Sequence, residues 1–178
     1  MLDPMIKTFL AIDPGRITGW SLIDYESEKP ISWGELDSAH DDFLWDLQKL
    51  FDKAEYLVIE DQHLDKKIMN PLMVIRLSQA AGIIIGAWLI KREQDFRLGI
   101  GHIYLMEPKY SYQLVKAPSW QKSLRLPARA SREARKYASR RVAKLLTGRE
   151  CPENASDAIC MGTAFIRSVK AKQKGMLK

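Results

Sequence analysis

The chain has 178 residues, of which 46% are hydrophobic and 28% charged, and its formal net charge is +6. That length supports one domain with a real core, and no apolar run is long enough to span a bilayer: the longest, Ala80 to Ile90, stops at Lys91-Arg92. The first residues do not read as an export signal, so none is expected, and the two cysteines, Cys151 and Cys160, stand apart from any His or Cys cluster. A disulfide scaffold and a zinc site are therefore not expected, and a cytoplasmic location is.

Lys7 to Asp13 reads as a buried strand that ends in a carboxylate, and Pro14-Gly15 follows as a tight turn. Gly19 to Asp24 returns antiparallel, and Pro30 to Glu35 reads as a short edge strand. Phe43, Leu44, Leu47, Leu50 and Phe51 have helical spacing within 41–51. Ala54 to Ile59 is a second buried strand, running into Glu60-Asp61. A long helix begins at Pro71, with an apolar face through Leu72, Val74, Ile75, Leu77 and Ala81 to Leu89. Over 97–118, both Ile103 to Met106 and Tyr112 to Val115 are strand candidates. Ser119 to Leu124 is a helical turn, and Ser131 N-caps a helix that ends near Leu146, before Gly148. The last helix is expected from Asn154 to Val169, making 1–169 one domain and 170–178 a basic, disordered tail. This order predicts an α/β fold, a mixed sheet with helices on both faces.

Asp13 and Glu60 both end strands, and neighbouring parallel strands present their carboxyl ends at one rim. Two carboxylates about one strand spacing (~4.8 Å) apart repel unless a cation joins them, and hard oxygen ligands favour magnesium or manganese. Asp157, early in the last helix, is positioned to join the same rim. Each acid also has a plain structural reading: Asp13 as a turn residue, Glu60 as a solvated strand end, and Asn154 to Asp157 as a capping box. The signal is the three together.

Asp13-Pro-Gly-x-x-x-Gly19, Val58-Ile-Glu60-Asp-Gln62, Gln79-Ala-Ala-Gly82 and Ser156-Asp157-Ala158 occur in this order over nearly the whole chain. Together they resemble the RuvC-type Holliday junction resolvases, most of all their shorter bacterial and phage members. The resemblance implies an RNase H-like fold with a five-stranded sheet and metal-dependent phosphodiester hydrolysis. It also implies two Mg2+ ions, which Mn2+ replaces, and a homodimer giving paired nicks in a four-way junction. Asp13, Glu60 and Asp157 match three of the four metal-binding acids; the other position falls on Asn154, a neutral and weaker ligand.

Charge is segregated: residues 1–70 hold 15 acids and 7 bases, whereas 116–149 hold 11 bases and one acid, Glu133. That block suits a polyanion. Lys116-Ala-Pro-Ser-Trp120-Gln-Lys122 resembles a segment of phage-type resolvases, which places Lys122 near the active rim. Arg132, Lys136 and Arg140 share a helix face, Arg135 lies beside them, and all are expected to contact phosphates. Trp120 reads as a core anchor in preference to a base-stacking wedge. The alternatives are a nuclease for flaps or forks, or a junction-binding protein whose centre is impaired at Asn154. An actin-like or sugar-kinase-like ATPase begins similarly, but 178 residues are too few for its two lobes.

Overall fold

The computed structural model describes residues 6–61, 71–98, 111–125 and 131–175. Its strands are β1 (Thr8–Asp13), β2 (Ile17–Asp24), β3 (Pro30–Asp37), β4 (Tyr56–Asp61) and β5 (Tyr112–Lys116). Its helices are α1 (Phe43–Phe51), α2 (Pro71–Leu98), α3 (Ala117–Ser123), α4 (Arg132–Thr147) and α5 (Glu153–Gln173). The sheet order is β3-β2-β1-β4-β5, antiparallel across β3, β2 and β1 and parallel across β1, β4 and β5. This is the expected mixed five-stranded sheet, with β3 at one edge.

Side-chain alternation sorts the strands onto two faces. Leu10, Ile12, Leu57 and Ile59 pack against α1 and α2 through Leu47, Phe51, Ile84 and Trp88. Phe9, Ala11, Tyr56 and Val58 pack on the opposite face against Trp120 and the α5 residues Cys160, Met161 and Ala164. The same parity carries Asp13 and Glu60 onto the α5 face, because they follow Ala11 and Val58 by two residues.

Helix α5 lies close on the sheet because the contact residues are small. A Cβ on Gly19 would stand 2.0 Å from the Asn154 carbonyl oxygen, and one on Gly162 2.7 Å from Ala11 Cβ. The second glycine of the Asp13-to-Gly19 motif is thus set by the helix that crosses it. Thr18 ties the turn itself, donating from Oγ1 to the Gly15 carbonyl at 2.9 Å.

Several expectations are corrected. Leu72 and Ile75 are exposed, and the core-facing stripe of α2 runs through Ala81, Ile84 and Trp88 to Arg92. The buried Arg92 guanidinium lies 4.0 Å from the Trp88 ring and donates to Phe51 O at 2.8 Å, and α2 runs past the expected end at Lys91 to Leu98. Leu44 faces solvent although α1 otherwise buries the expected stripe. Asn154 is not an N-cap: Pro152 holds that position and Asn154 lies inside the first turn. Helix α5 continues past Val169 to Gln173, held where Lys170 reaches the Glu26 carbonyl, Glu28 and the Tyr25 ring. Ser131 caps α4 as expected, accepting from Ala134 N at 3.2 Å, and Gly148 closes it in the left-handed conformation. Gln62 and the strand read over 103–106 lie outside the described residues.

Gly19→Ala should destabilise the domain by at least about 1–3 kcal/mol, because backbone must move to admit the methyl group. Gly82→Ala, exposed on α2 with open space around it, should instead stabilise by about 0.5–1 kcal/mol. Denaturant unfolding of the two variants checks this contrast.

Candidate active site

Asp13 and Glu60 extend the paired residues Ile12 and Ile59 by one position, so their carboxylates meet side by side at the rim of the parallel strands. Asp157, buried on α5, completes the group from above. Burial first, and then the charges of Glu60 and Asp157, hold the Asp13 carboxyl well above its ordinary range; Lys136 pulls the other way, and a hydrogen bond with Glu60 raises it further. The three sequence-predicted acids are therefore brought together, and their repulsion is physical.

Each outer acid has its own support. Lys136, on α4, donates to Asp157 Oδ2 at 2.5 Å and stands 3.6 Å from Glu153 Oε1. Burial lowers its pKa, but Asp157, Asp13 and Glu153 outweigh that, and the ammonium is held above its usual range. Trp120 on α3 donates from Nε1 to Glu60 Oε1 at 2.9 Å. Among the described residues no three His, Cys, Asp or Glu side chains are gathered tightly enough to cage an ion as they stand. The donor set is nonetheless all oxygen, includes at Asp13 a carboxyl whose charged form its neighbours disfavour, and holds one tethered ammonium. That chemistry fits a hard divalent cation, with Lys136 giving up part of its hold on Asp157.

Asn154 is turned toward the edge strand. Its backbone N and its Nδ2 both donate to Glu35 Oε1, at 2.9 and 3.0 Å. Glu35 aligns with Gly19, and Gly19 with Asp13, so one cross-strand row leads from the site to the start of α5. Sequence reasoning missed Glu35; no motif marks it, and only the strand register reveals it.

The predicted DNA-binding residues divide. Lys116 ends β5 opposite Asp61, and Lys122 is exposed in the last turn of α3. Arg132 and Arg140 are exposed on α4 and Arg135 is half-buried. Lys136 does not share their open surface, because it turns inward to Asp157.

No protein-family model matches the chain, and no curated protein matches it in sequence. Solved structures do match. RuvC of Thermus thermophilus in complex with Holliday junction substrate aligns with a TM-score of 0.56 at 12% identity, over 96% of this chain and 98% of that one. A second Thermus thermophilus RuvC structure aligns at 0.56 and 13%, with the same coverage. The yeast mitochondrial Holliday junction resolvase Ydc2 aligns at 0.55 and 11%, over 99% of this chain and 84% of that one. At these identities the likeness establishes the fold: the chain has the RNase H-like fold of the RuvC-type resolvases.

A carboxyl with a raised native pKa binds protons more readily folded than unfolded, so stability falls as pH rises from the ordinary carboxylate range through the raised value. In chelator, Asp13→Asn should flatten that fall. It should also raise the melting temperature near neutral pH by about 2–4 °C, the shift for ~1 kcal/mol in a domain of this size. Thermal melts across pH, with and without Mg2+, check both effects.

Proposed function

We propose that this protein is a Mg2+-dependent endonuclease that resolves four-way DNA junctions by phosphodiester hydrolysis. The observation that carries the reading is Asp13 pressed between Glu60 and Asp157 at the open end of two parallel strands. Fold alone does not assign function. Here the acids stand beside a basic helix, and the solved structures that share the fold include a RuvC bound to Holliday junction substrate.

Asp13, Glu60 and Asp157 would hold the ions, with Asn154 contributing at most a neutral oxygen. Bound Mg2+ supplies a lowered pKa for the attacking water and charge stabilisation for the scissile phosphate. The chain's own contribution is placement: β1 and β4 fix two carboxylates side by side, and α5 lowers the third onto them. Lys136, already at the rim, offers its ammonium to an incoming phosphate. Lys116, Lys122, Arg132, Arg135 and Arg140 supply backbone contacts that position the junction without reading its sequence.

A four-way junction has two-fold symmetry, and a symmetric dimer would deliver two matched nicks. Leu72, Ile75, Ile83 and Ile90 are all more than half exposed along α2, an apolar row for a second copy of this chain. Ile83→Glu should shift the protein from dimer to monomer in sedimentation analysis and replace paired nicks by single ones.

Synthetic four-way junctions, flaps, forks and linear duplexes, each with Mg2+, Mn2+ or chelator, test the main reading. Symmetric metal-dependent nicks on four-way junctions alone are expected. Asp13→Asn should abolish them while sparing binding. Cleavage spread over flaps and forks would move the substrate class. Tight junction binding without any cleavage would replace the reading by a non-catalytic one, which Asn154 and the Lys136–Asp157 pair favour. Arg132→Ala with Arg140→Ala should weaken binding for every junction sequence and reduce the salt slope by about 2, one unit per lost phosphate contact.

A further inference from the structure

Trp120 is the most constrained residue near the acids that the functional reading leaves without a task. It is 3% exposed and packs in the core beneath α5. Its only polar atom, the indole N–H, points at Glu60 Oε1 across a sequence distance of 60 residues, at 2.9 Å. Core packing alone does not require that direction. Trp88, equally buried, spends its N–H on a serine hydroxyl, and the Trp20 N–H has no partner among the described residues. Position explains the difference. Helix α3 leaves β5 directly after Lys116, which lies opposite Asp61, so its first turn brings Trp120 within reach of Glu60 at the end of β4.

We propose that Trp120 is a positioning residue for Glu60, fixing one carboxylate oxygen so that the other faces the ion and Asp13. This inference rests on the metal-dependent reading above and names a residue within it. The chemistry of the donor matters. A lysine in this place would neutralise Glu60 and compete with a cation, as Lys136 does at Asp157. An indole N–H donates one directed hydrogen bond, carries no formal charge and has no acceptor site. It locks the rotamer and leaves the full negative charge for the ion. Outer partners of this kind tune ligand orientation, and their loss costs about 10–100-fold in metal affinity.

Trp120→Phe keeps a flat ring in the core and removes the donor. Mn2+ uptake, followed by loss of the free-ion electron spin resonance signal, should weaken about 10–100-fold in this variant. Junction cleavage should recover as Mg2+ is raised, with kcat near the wild-type value at saturation, whereas Glu60→Gln should not recover. Combined with Glu60→Gln, Trp120→Phe should cost little more. Should Trp120→Phe fail to fold, benzothienylalanine at the same position keeps the indole shape with sulfur in place of N–H. Unchanged Mn2+ affinity in the folded variant overturns the proposal while leaving the metal site intact. So does an equal loss in the Glu60→Gln background, since Trp120 would then act elsewhere. If the wild-type protein takes up no Mn2+ at all, the metal reading falls and this inference falls with it.

Discussion

Asp13, Glu60 and Asp157 are like charges held within reach of one another at a partly buried rim, and the surrounding elements are arranged around that repulsion. Left in water, the three side chains would separate. Here two are fixed by strand register and the third by a helix lying on the sheet, so separation would mean breaking the core. The site is therefore preorganised to accept positive charge. Lys136 supplies part of it, yet the Asp13 carboxyl remains raised, and that residual excess of negative potential is what a bound proton or cation relieves.

The close seat of α5 is what makes this possible. Gly19 and Gly162 let the helix backbone and the sheet approach to distances that any side chain would prevent. The start of the helix is closed from outside itself: Glu35, on the edge strand, accepts from the Asn154 backbone and amide. A carboxylate there also complements the positive end of the helix dipole. Asn154 thus has a structural task at the position where the resolvase pattern has an acid.

Glu60 and Asp157 are steadied by different means. Asp157 is paired with a lysine cation, which stabilises its charged form. Glu60 accepts from a neutral indole donor, which brings no opposing charge. The rim thus has one side hydrogen-bonded to a neutral group and one side paired with a cation.

Much of this was legible in the chain. Continuous apolar runs, Phe9 to Ile12 and Tyr56 to Ile59, determine both strands and, by parity, the face that the acids after them share. Ser131 and Gly148 determine the limits of α4, because capping is a local interaction. The segregation of acids before residue 70 and bases after 116 is equally explicit. Only the tertiary structure decided that Glu35 would hold Asn154, 119 residues away, that Trp120 would turn its N–H to Glu60, and that Lys136 would leave the basic face for Asp157. It also decided which side of the apolar α2 faces the sheet and which is left exposed. Periodicity and caps are properties of neighbouring residues, whereas these pairings exist only once separate strands and helices have been brought into register around a common core.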